Sequence, residues 1–294
     1  MKNFIHKKIF WAFLVSFIVF VYLFIAILGF VIYKTTSNST VQKDISTYFE
    51  DSNSRVGSKE TKKTITGRRE PEISSDQIDG SYQVVNGELS PTPTNESEVK
   101  AWKYFKAIAG EDFLNDYMYK VDFYNDSTSD IDASVEQSDV DFTKWNLNVN
   151  LAYISEKASL IYTLVHEYSH IYSLNSTQVD GLVSGSCPNL KIIEGCVIDQ
   201  SNLDQFYSQF WTRLNADPDS QDYGQYYQGN ETDFVTEYAA TNGIEDFAET
   251  FAYYALKDTS DLIGVAAHKI SFMDRNDDIR NDVNRIRDNI DKLI

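Results

Sequence analysis

Leu164-Val165-His166-Glu167-Tyr168-Ser169-His170 is the stretch that decides how this chain is read, because it spells H-E-x-x-H inside an apolar, helix-spaced segment. Histidines four apart lie one turn from each other on the same helical face, so both imidazoles can reach one metal ion. A glutamate beside the first of them falls next to that ion, where it can hold a water molecule and take its proton. The chain has only 4 histidines, and half of them are here. The bland alternative is a surface helix that happens to carry His and Glu. Ile161, Leu164, Tyr168 and Ile171 recur at 3/4 spacing and predict a buried stripe beside the two histidines. Glu156 marks the expected start of the helix, and Asn175 and Ser176 its end.

Upstream, Trp145, Leu147, Val149 and Leu151 alternate with Asn146, Asn148 and Asn150, the period-2 pattern of a half-buried strand. A free edge on that strand could pair with an extended peptide. Tyr119–Phe123 reads as a second strand, and Val99, Trp102, Phe105 and Ile108 as a helix. Further helices are expected around Phe206–Leu214, within Phe234–Leu256 and as one charged helix running to Ile294. The fold class is therefore α+β, mainly helical, with a small sheet beside the His166 helix.

The amino terminus has a different composition. Ile9–Tyr33 is apolar except for Ser16, and as a helix it would be about 37 Å long against a hydrocarbon core of about 30 Å. It ends in Val31, Ile32 and Tyr33 without a small-residue cleavage pattern, so it reads as an uncleaved transmembrane signal anchor. Lys2, Lys7 and Lys8 precede it, which points to residues 1–8 in the cytoplasm and the rest outside. Residues 34–95 are rich in Ser, Thr, Asn, Asp, Glu and Lys and read as a disordered stalk, with one short strand conceivable at Tyr82–Val85. The folded domain is then 96–294.

Cys187 and Cys196 are the only cysteines, spaced suitably for one disulfide outside the cytosol. The net charge of −18 leaves no basic surface to neutralise phosphates, which argues against a nucleic-acid partner.

Two histidines need a third protein ligand and an open position to make a catalytic zinc centre. Ser173 and Ser176 stand where a short-spaced third histidine would be sought, and His268 sits among packing residues. Glu245 and Glu249, one turn apart on the amphipathic stretch Ile244–Tyr254, are the better candidates. One of the two would ligate, and the other would hydrogen-bond the second nitrogen of a ligating imidazole.

H-E-x-x-H followed by an E-x-x-x-E helix resembles the gluzincin class of zinc metallopeptidases. More narrowly, Tyr238-Ala239-Ala240-Thr241-Asn242-x-x-Glu245-x-Phe247-Ala248-Glu249-x-Phe251 is similar to the catalytic domain of the anthrax lethal factor group of bacterial peptidases. The resemblance covers roughly residues 160–255 and leaves the cysteine pair unexplained. It implies a zincin-like fold and zinc held by His166, His170 and Glu245, with Glu249 behind a histidine. It further implies Glu167 as the base and Tyr238 as the phenol reaching toward the scissile carbonyl or the leaving group. The implied activity is hydrolysis of a peptide or protein substrate at the cell surface. A zinc-stabilised surface protein that only binds a partner is the alternative.

Overall fold

The computed structural model describes residues 77–154, 156–181, 187–212, 214 and 226–294. The expected anchor, its cytoplasmic flank and most of the stalk lie outside the described residues. Among the described residues no helix is long and apolar enough to cross a membrane.

A five-stranded mixed sheet and the helices packed against it form the scaffold, an α+β arrangement. Its strands are β1 (Ile78–Val85), β2 (Glu88–Ser90), β3 (Met118–Tyr124), β4 (Ala133–Gln137) and β5 (Trp145–Asn150), in the order β2-β1-β3-β5-β4. β3 and β5 run parallel, and every other pairing is antiparallel. Folding thus begins upstream of Glu96, within the segment expected to be stalk. Tyr82 and Val84 pack against the core from β1, and the Tyr82 ring lies 5.9 Å from that of Phe123. The segment is polar overall, but alternation puts its few apolar side chains on one face, and a strand needs no more than that.

The Trp145 strand also departs from expectation. It has no free edge, because β3 and β4 flank it, and all six of its residues are buried. Asn148 and Asn150 are taken up by hydrogen bonds instead of facing water. Asn148 Nδ2 donates to Ser134 Oγ at 3.3 Å on β4. Asn150 Nδ2 donates to the carbonyls of Asp126 and Ile131, while its Oδ1 accepts from the Asp126 and Ala152 amides. That network folds the Asp/Ser-rich loop against the sheet and lets β4, absent from the sequence reading, form the edge.

Helices α1 (Glu96–Ala109), α2 (Glu111–Tyr117) and α3 (Lys157–Leu174) come next in the core. α3 is the predicted metal helix. Ile161, Leu164, Tyr168 and Ile171 are all buried on it, each worth about 1.5–3 kcal/mol in water-to-core transfer. It stops at Asn175, whose Nδ2 takes up the Ile171 and Tyr172 carbonyls at 3.0 and 2.9 Å. After it, β6 (Val179–Asp180), β7 (Lys191–Ile192) and β8 (Gly195–Val197) make a three-stranded sheet. The Cys187–Cys196 disulfide joins it, with Cα atoms 5.5 Å apart. A side chain at Gly195 would meet the Asp180 carbonyl oxygen at 2.4 Å, so only glycine lets β6 and β8 close.

α4 (Asn202–Phe210), α5 (Gly243–Leu256), α6 (Gly264–Arg275) and α7 (Asp277–Asp291) complete the chain. The expected final helix is two helices, because Asn276 ends α6 and its Oδ1 caps the Asp278 and Ile279 amides of α7. From α7 the buried Arg287 donates Nε to the Ala255 carbonyl at 3.0 Å and Nη2 to that of Tyr254. A cation thereby satisfies the C-terminal carbonyls of α5.

Candidate metal centre

Two helices supply the site. α3 presents Tyr162, His166, Glu167 and His170, the first, second and fourth of them at successive i, i+4 positions. α5 crosses it with Phe251 set against the rings of Tyr168 and Tyr172, at centroid distances of 6.0 and 5.6 Å. Asn242 caps α5, its Oδ1 accepting the Ile244 and Glu245 amides at 2.9 and 3.0 Å, so Glu245 leaves a pinned first turn. The preceding Gly243 meets α4 closely, and a Cβ there would stand 2.6 Å from Tyr207 Cδ2.

This crossing brings together residues 75 positions apart or more. His166 Nε2 and His170 Nε2 are 2.9 Å apart, and Glu245 Oε2 lies 3.2 Å from each. All three side chains are buried. Ligand atoms around a tetrahedral ion with bonds of about 2.0–2.1 Å stand about 3.3 Å apart, so the three form one face of such a polyhedron. The group can hold a metal ion.

The second nitrogen of His166 decides which atoms face the centre. His166 Nδ1 lies 2.7 Å from Glu249 Oε1. A carboxylate can only accept, so Nδ1 carries the hydrogen and Nε2 is the nitrogen turned toward His170 and Glu245. Glu249 Oε2 in turn accepts from Tyr162 Oη at 3.0 Å and Thr236 Oγ1 at 2.6 Å. Burial opposes charge on His166, yet its hydrogen bonds to Glu245 and Glu249 and the nearby Glu167 charge outweigh it and raise its pKa well above the ordinary imidazole value. Burial and Glu249 likewise push the Tyr162 phenol up, keeping it a donor. The surroundings favour positive charge here, as a proton or as a metal.

Glu167 is buried beside His166 on α3. Tyr238, in the 3₁₀ turn Tyr238–Ala240, has its ring 5.8 Å from that of His166 and remains 41 % exposed. Every residue singled out in the two motifs therefore falls at one place. His268 is exposed on α6, outside the ligating group.

Two residues of this centre carry no motif, Tyr162 and Thr236, and the capping role of Asn242 lies outside the roles the resemblance implied. Tyr162 was legible by spacing, since it precedes His166 by one helical turn. Asn242 has the N-cap signature before Glu245 and Asp246. Nothing local marks Thr236, which reaches Glu249 only because the 3₁₀ turn folds back on α5.

Comparison of the chain with protein families, characterised proteins and solved structures finds no match. What the chain does is therefore read from the centre itself.

Proposed function

We propose that this chain is a zinc-dependent endopeptidase of the gluzincin type, anchored by Ile9–Tyr33 with its folded part outside the cell. The observation that carries the reading is the convergence of His166 Nε2, His170 Nε2 and Glu245 Oε2 within 2.9–3.2 Å, with Glu167 next in sequence to the first ligand. Two imidazoles and one carboxylate are the donor set of catalytic zinc, which keeps a fourth position for water, whereas structural zinc is closed by four protein ligands. Bound zinc supplies a Lewis acid that polarises a carbonyl and acidifies water.

The chain's own groups do the rest. Glu167 takes a proton from water at its carboxylate and returns it to the leaving amide nitrogen. Glu249 holds His166 in the Nδ1–H tautomer, and Tyr238 donates its phenolic hydrogen to the developing oxyanion. The sheet edge open to an extended peptide is β4 rather than the Trp145 strand, and α3 packs beside β4. The long apolar run before the domain and the Cys187–Cys196 disulfide both suit an anchored, extracellular protein.

The test is metal analysis of the purified protein together with turnover of a quenched peptide library. About one zinc per chain and cleavage abolished by a chelator are expected. Stoichiometric zinc with no cleavage of any peptide would instead favour a partner-binding protein stabilised by its metal.

A further inference from the structure

Glu249 receives two hydroxyls on one oxygen, and they come from different parts of the chain. Tyr162 reaches it from α3, the helix of His166. Thr236 reaches it from the segment that leads into the Tyr238 turn. The Thr236 hydroxyl also accepts the Ala239 amide hydrogen at 3.1 Å. An amide can only donate, so the single hydroxyl hydrogen of Thr236 goes to Glu249. One side chain thus bridges the carboxylate that orients His166 and the turn that holds Tyr238.

Tyr238 needs such a bridge. The residue is 41 % exposed and its ring stands 5.8 Å from that of His166, so the backbone turn beneath it helps decide where the phenol stands. That backbone is a short 3₁₀ turn closed by Ala240 N–H to Glu237 O at 3.1 Å and Thr241 N–H to Tyr238 O at 3.0 Å. Its Ala239 amide is bound to a side chain that also reaches the metal centre. We propose that Thr236 is a positioning residue that registers the Tyr238 turn against the Glu249–His166 pair, so that holding the metal and placing the phenol depend on the same hydroxyl. The catalytic half of this inference rests on the peptidase reading; the structural half does not.

Three variants of the full chain separate the bridge from a general packing role. Thr236→Val keeps the shape and removes the hydroxyl, Thr236→Ser keeps the hydroxyl, and Tyr162→Phe removes the other donor to Glu249 while leaving the turn untouched. Zinc affinity by chelator competition should weaken about tenfold or more in both Thr236→Val and Tyr162→Phe. Hydrogen exchange of the Ala239 amide should quicken about five- to tenfold in Thr236→Val alone and return to the parent rate in Thr236→Ser. Peptide turnover should show a lower kcat at unchanged KM in Thr236→Val, beyond the loss in Tyr162→Phe at saturating zinc. An unchanged Ala239 exchange rate in Thr236→Val, or the same exchange change in Tyr162→Phe, would overturn the bridge. If the parent cleaves no peptide, the peptidase reading fails, and the zinc and exchange measurements still decide whether Thr236 joins the turn to the carboxylate.

Discussion

Helix α5 carries buried acids on two faces, and the two faces are built differently. Glu245 and Glu249 look toward α3, where Glu245 meets two imidazole nitrogens at 3.2 Å and Glu249 meets a third at 2.7 Å. Asp246, one residue on, looks the other way. Its Oδ2 accepts from Lys269 Nζ at 2.6 Å and Trp211 Nε1 at 2.7 Å, and Thr250 Oγ1 stands 3.3 Å from Oδ1. Burial pushes the Asp246 carboxyl up to about 6 against those partners, which pull it down. Lys269 also gives a hydrogen to the Asp233 carbonyl at 2.6 Å and sits 4.0 Å above the Phe234 ring. One face thus has its counter-ion built into the chain, whereas the other gathers ligand atoms around a point. A lysine makes a buried acid a structural fixture; converging imidazoles leave it able to ligate, because neutral nitrogens can share it with a metal.

Five substitutions can break the contrast. The largest effect should come from Glu167→Gln, which is isosteric and removes only the base. Peptide cleavage is expected to fall about 10²–10⁴-fold while zinc content stays near that of the parent. Full activity in that variant would sink the proposed proton transfer. The two acids on neighbouring positions should then fail in different currencies. Asp246→Asn leaves the Lys269 charge buried without its partner and should cost about 3–5 kcal/mol in urea unfolding, and Asp246→Asn with Lys269→Met should recover much of that. Glu245→Ala should instead lose the metal in dialysis against a weak chelator and unfold near the parent apo midpoint.

Glu249→Ala should retain the metal but weaken it by about 10- to 100-fold, read by competition with a chromophoric chelator. If Glu249→Ala strips the zinc and Glu245→Ala does not, the two acids exchange roles. The smallest change expected is Gly243→Ala. The added methyl must displace the Tyr207 ring at the start of α5, which should lower stability by about 1–3 kcal/mol. Because Glu245 sits two residues on, the zinc affinity should drop with it; an unaltered affinity would show that the ligand is held by the Asn242 cap alone.

The reading of the sequence was strongest where chemistry and period coincide. His166, Glu167 and His170 need only the 3.6-residue repeat to share a face, and Ile161, Leu164, Tyr168 and Ile171 state which side of α3 is buried. Glu245 and Glu249 could be paired by the same geometry. The strands were harder. Asn146, Asn148 and Asn150 look like a solvent face until β4 covers the strand, with Ser134 bonding Asn148 and the Asp126–Ile131 loop bonding Asn150, and a polar edge strand such as β4 has no apolar alternation to betray it. β1 was legible only as its Tyr82–Val85 half, since its segment has too few large side chains to fold alone and gains them from Phe123 across the sheet.

By itself the sequence determined the donor types, their spacing within each helix and the helical frame that aims them, because those follow from local periodicity and side-chain chemistry. Tertiary structure alone decided that Glu245 rather than Glu249 faces both imidazoles, that Asp246 turns away to Lys269, and that Thr236 comes back to touch Glu249. Those outcomes depend on how α3 and α5 cross, and a crossing is set by packing between residues far apart in the chain, which no local pattern records.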